Sequence, residues 1–143
     1  MQSRRFGLTA VVVAAALTSG CGLTGPAPSE ASQRSGKVTL GASSQSTKST
    51  ECTQVQWALS IDATTEHGRA RAYLQLGAAE PIVRTVSIEN IDGLNGISGG
   101  DVGAAQASVV NGNTYKITGT AVVAYPAEPG STTEMPFTIE TPC

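Results

Sequence analysis

Few side chains in this sequence are of types that do chemistry, and most of those stand alone. Gly96-Ile97-Ser98-Gly99-Gly100 spells G-x-S-x-G, the turn that presents a serine nucleophile between a strand and a helix. Such a serine needs a histidine later in the chain. The single histidine, His67, lies upstream, and no helical stripe follows Gly100. The stretch therefore reads as a glycine-rich turn between strands. No Gly-Lys-Ser/Thr follows these glycines, so they build no phosphate loop either. Glu89, Asp92 and Asp101 stand near glycines but lack the ligand spacing of a calcium loop. His67, set among Glu66, Gly68 and Arg69, reads as a solvated turn residue. Arg69 and Arg71 share the outward face of a strand, where charges keep the strand soluble. A net charge of −2 offers nucleic acid no basic patch. Neither catalytic residues nor a cofactor nor a metal is expected.

The three cysteines are different, and the first is the sharpest signal in the chain. Arg4 and Arg5 precede a ten-residue apolar run, Leu8 to Leu17 (LTAVVVAAAL), which is followed by Ser19-Gly20-Cys21. A run of this length is too short to span a bilayer and reads as an export signal over residues 1–20. Arg4-Arg5-Phe6 lacks the residue that separates the arginine pair from the Phe in a twin-arginine signal, so the general secretory route is expected. Leu17-Thr18-Ser19-Gly20-Cys21 resembles a bacterial lipobox, with Thr18 where Leu is usual. In that reading the Cys21 thiol takes a diacylglyceryl group and becomes the mature N-terminus. One acyl chain holds a protein only marginally, whereas two or more make the attachment effectively permanent. Cleavage would leave seven basic against eleven acidic side chains, so the hold on the membrane is lipid rather than headgroup attraction.

Residues 21–51 are rich in Ser, Thr, Gly and Pro, and composition reads them as a flexible tether, with Val38-Thr39-Leu40 as a stray edge strand. The hydroxyl density suits O-linked sugars as well as a bare linker. Residues 52–143 alternate with period two. Val55, Trp57, Leu59 and Ile61 are expected to face a core, and Ala70, Ala72, Leu74 and Leu76 to follow on a second hairpin arm. Val86, Ile88, Ile117, Phe137 and Ile139 complete the expected core, and Asn111-Gly112-Asn113 is the strongest turn signal. The expected fold is all-β, a small antiparallel sandwich or open barrel. Cys52 and Cys143 remain after Cys21 is assigned to lipid. In an exported protein they are expected to bridge the ends of the domain, the alternative being two free thiols.

Tyr115-Lys116-Ile117-Thr118-Gly119-Thr120-Ala121, the closing Phe137-Thr138-Ile139-Glu140-Thr141-Pro142-Cys143 and the Glu89 to Gly96 turn resemble the mycobacterial nineteen-kilodalton lipoprotein antigen family. The likeness covers Cys52 to Cys143. It implies an acylated surface antigen, anchored on the outer face of the plasma membrane or in the cell envelope, whose lipidated N-terminus is sensed by Toll-like receptor two. It brings no catalytic motif. Two alternatives stay open for the folded part. One is a structural or interaction module, and the other a carrier of a lipid or other small ligand. The expected core residues are about enough for a domain of this size and little more, which favours the module.

Overall fold

A computed structural model describes residues 35–143; the expected signal segment 1–20 and Cys21 lie outside the described residues. Nine strands follow in order: β1 (Lys37–Leu40), β2 (Ser43–Val55), β3 (Ala58–Thr65), β4 (Arg69–Gln75), β5 (Ile82–Ile91), β6 (Leu94–Ser98), β7 (Ala104–Val110), β8 (Thr114–Ala124) and β9 (Thr132–Pro142). All neighbours pair antiparallel, in the order β6-β5-β4-β3-β2-β1-β9-β8-β7, and β6 also pairs with β8. That last pairing closes eight strands into a barrel and leaves β7 as a ninth strand beside β8. The all-β expectation is met, and the barrel is closed rather than open. β6 and β7 run in the same direction along one edge of β8. β6 takes Val122–Ala124 and β7 takes Thr114–Thr120, with the Gly99–Gly103 kink between them.

Eight strands enclose an interior just wide enough for side chains to fill. Val38, Leu40, Leu59, Ile61, Leu74, Val86, Ile88, Ile91, Ile117, Val123, Phe137 and Ile139 fill it, with Ala63, Ala70, Ala72 and Ala121 where the wall comes close. Removing each large side chain from water contributes roughly 1.5–3 kcal/mol. Gly119 serves the wall rather than the core. A Cβ there would overlap the Ala104 carbonyl oxygen, so only glycine lets β7 and β8 approach this closely.

Two expectations need correcting. Residues 37–51 are not tether: β1 sits between β2 and β9, and its Val38 and Leu40 are fully buried. The segment resembles a linker in composition because β2 turns mainly Ser, Thr, Gln and Glu outward. What it turns inward is small and polar too, Thr50 opposite Ala63 and Cys52 opposite Ile61. Its backbone ladder, not apolar side chains, holds it in the wall.

Val55 and Trp57, placed in the core by alternation, are instead each 66% exposed. Val55 pairs with Ala58, so Gln56 and Trp57 form a two-residue hairpin turn, with Gln56 in the left-handed region at φ 53°. Across such a turn residues i and i+3 share a face, and the alternation changes phase. Val55 points out while Leu59 and Ile61 point in. No Gly, Asn or Pro marks this turn.

Candidate functional site

β1, β3, β5 and β8 run one way and the other strands the opposite way, which gives the barrel two distinct ends. One end gathers the start of β1 at Lys37, the β2–β3 turn, the β4–β5 loop, the β7–β8 turn and the C-terminus. Because β1 is short, β2 and β9 meet directly below it. The Thr50 and Thr141 hydroxyls hydrogen-bond across that meeting at 2.6 Å. The Cys52 and Cys143 sulfurs lie at bonding distance with their Cα atoms 5.8 Å apart, inside the range a disulfide requires. The Cys143 N–H donates to the Asn113 carbonyl, which ties the C-terminus to the β7–β8 turn as well. The structure thus brings together the two cysteines that the sequence pairs. Cys21 lies outside the described residues.

The remaining polar candidates fall far apart. Ser98 ends β6 instead of standing in the turn, it is buried, and its hydroxyl donates to the Thr120 carbonyl at 2.8 Å. That bond commits the hydroxyl to bracing the β6–β7 kink. His67 sits in the β3–β4 turn at the opposite end of the barrel, where its carbonyl accepts from the Asn90 side chain at 2.6 Å. Glu66, His67, Arg69 and Glu89 line an open polar depression of about 380 Å³ there. Among the described residues no three His, Cys, Asp or Glu side chains gather as a metal ion would require.

Arg69 and Arg71 do face outward together, and they converge on one acid the sequence reading missed. Their Nε groups donate to the two carboxylate oxygens of Asp62, at 3.0 and 3.1 Å. Asp62 is opposite Arg71 in the β3–β4 ladder and diagonal to Arg69. Counting back from the Glu66-His67-Gly68 turn would have found it. Part-exposed pairs of this kind contribute about 0.2–1 kcal/mol each, so the trio fixes register more than it stabilises.

Two further depressions lie on the outer wall, one of about 400 Å³ bordered by Asp62, Arg71, Tyr73 and Thr85. The other, about 230 Å³, is mainly apolar and lies along the short β6–β8 seam between Ile97, Val122 and Ala124. Large exposed apolar side chains concentrate elsewhere, at the end where β1 begins. Val55, Ala58, Gln75 and Ile82 make one cross-strand row, with Trp57 beyond it at the hairpin tip and Tyr73 in the next row. The Trp57 ring covers the backbone of Gly77, its Cε3 3.1 Å from where a Cβ would be.

Compared with known proteins, the chain matches the family described as Mycobacterium 19 kDa lipoprotein antigen over residues 29–143, most of its length. No curated protein matches it.

Proposed function

From the chain's place in the Mycobacterium 19 kDa lipoprotein antigen family, to which it belongs, we propose a lipid-anchored envelope antigen whose barrel is a structural or binding module, not a catalyst. Residues 1–20 direct export and are removed, and Cys21 carries the acyl chains that hold the protein on the outer face of the membrane. A disulfide between Cys52 and Cys143 then locks β2 to β9. The acylated N-terminus is the part a host Toll-like receptor senses. The observation that carries this reading is Cys21 itself, set directly after Ser19-Gly20 at the end of a ten-residue apolar run. The family's lipoprotein character supports it. Detergent phase partitioning tests it: wild type enters the detergent phase and Cys21→Ala stays in the aqueous phase. Equal aqueous partitioning of the two would end the proposal.

A second reading, a carrier of a lipid or other small ligand, draws on the apolar depression along the β6–β8 seam. Only three residue pairs, Asn95↔Ala124 to Ile97↔Val122, hold that seam. Mass spectrometry of acyl-free protein under non-denaturing conditions tests it. A co-purified lipid favours the carrier, and bare protein favours the module.

A further inference from the structure

We propose that the barrel does not hang free on its tether but rests on the lipid surface through the Trp57 end. The inference rests on acylation of Cys21. Val55 and Trp57 are 66% exposed and Ile82 43%, and all three lie within one cross-strand row or the turn beside it. Tyr73, 46% exposed, stands in the next row. Trp and Tyr in this order, an apolar tip backed by an amphipathic ring, are what the interface of a bilayer accommodates. The charged rows, with Asp62, Arg69 and Arg71, come after Tyr73 and would stay in water.

Chain geometry selects the lipid as occupant. The polypeptide joins the barrel at Gly36, whose carbonyl accepts from the Thr47 N–H, and β1 then runs away from the Trp57 end. The described chain therefore enters the barrel at the end that carries the patch. The fifteen peptide units from Cys21 to Gly36 span at most about 50 Å. An acylated Cys21 thus keeps the patch at a high effective concentration near the surface, so that even a weak partition is realised. Glu80 and Arg84 flank the patch with opposite charges, and Arg84 donates its Nε to Gln75 at 2.9 Å. The side chains offered to the lipid are apolar, so salt is expected to weaken the contact little.

Trp57 is the only tryptophan in the chain, so its emission reports this site alone. The experiment uses the full lipidated protein, reconstituted into vesicles of equal parts phosphatidylcholine and phosphatidylglycerol. Flotation is measured first, then Trp57 quenching by aqueous iodide and by brominated phosphatidylcholine. The expected result is flotation, a blue-shifted emission, a several-fold loss of iodide quenching and strong quenching by the brominated lipid, little changed by added salt. The double variant Val55→Ser with Ile82→Ser keeps the reporter and should still float, with lipid quenching reduced several-fold. Flotation with Trp57 still open to iodide would overturn the docking and leave the anchor standing. A blue shift that depends on protein concentration and ignores brominated lipid would overturn it in favour of self-association. Wild type that does not float at all would overturn the anchor and the docking with it.

Discussion

Leu40→Ala separates a tether from a barrel wall. In a solvated linker the change costs nothing measurable. In the structure Leu40 is fully buried on β1, paired with Ser43 on one side and Phe137 on the other. Its side chain crosses the interior toward β6, where Cδ1 lies 3.7 Å from the position of a Cβ on Gly96. Truncation removes three carbons and leaves a cavity, and buried Leu→Ala changes of this kind cost about 2.7–5 kcal/mol. A wall closed by hydrogen bonds on every side cannot collapse into the space, and Gly96 opposite has no side chain to fill it. The upper part of that range, about 3–5 kcal/mol, is expected. For a domain of about 110 residues this lowers Tm by about 13–22 °C. Urea titration followed by far-UV circular dichroism should show the midpoint falling with an unchanged slope. Trp57→Ala, at a position 66% exposed, is the control and should cost less than about 1 kcal/mol. A Leu40→Ala loss no larger than the control's would refute the placement of β1 in the wall.

Three other outcomes follow from the same geometry. Replacing Cys52 and Cys143 with Ser should cost roughly 4–5 kcal/mol by loop-closure entropy, read as a Tm difference that vanishes when wild type is reduced; their sequence separation is 91. Gly119→Ala should prevent β7 from docking, because the new Cβ would meet the Ala104 carbonyl and the Ala105 Cα, both backbone atoms. Hydrogen exchange should then show lost protection over Ala104–Val110, and retained protection would contradict the account. Ser98→Ala should cost about 1–3 kcal/mol by leaving the Thr120 carbonyl unpaired, and Ser98 in the wild type should not react with a fluorophosphonate probe.

What was legible in the sequence was whatever alternates without interruption. The strand Ile82–Ile91 and the inward set Ala70, Ala72 and Leu74 follow from period two alone. The β7–β8 turn follows from Asn111-Gly112-Asn113, where Asn111 and Gly112 both have positive φ. β2 was hidden because a strand that presents hydroxyls to both sides has the composition of a linker. Its partner β1 shows two buried residues in four, too short a signal to stand alone. Asp92-Gly93, with φ 52° and 80°, turns β5 into β6, yet β6 was not read as a strand because its Gly96 and Ser98 occupy the inward positions. Alternation puts Trp57 in phase with Leu59 and Ile61, but the two-residue turn at Gln56-Trp57 breaks that phase and leaves Trp57 at an exposed tip. Compartment and cysteine count pair Cys52 with Cys143 without knowledge of strand order, and the fold sets their Cα atoms 5.8 Å apart. Asp62 is one acid on the outward face of an alternating strand, and only the register that the Glu66-His67-Gly68 turn sets brings it opposite Arg71.

Lipid on Cys21 is proposed to carry this barrel. Intact mass spectrometry of the protein extracted from membranes tests it most directly. The expected species is a chain that begins at Cys21 and carries the added mass of a diacylglyceryl group, with Cys52 and Cys143 two hydrogens lighter than free thiols. A chain that begins elsewhere, or one that begins at Cys21 with an unmodified thiol, would contradict it.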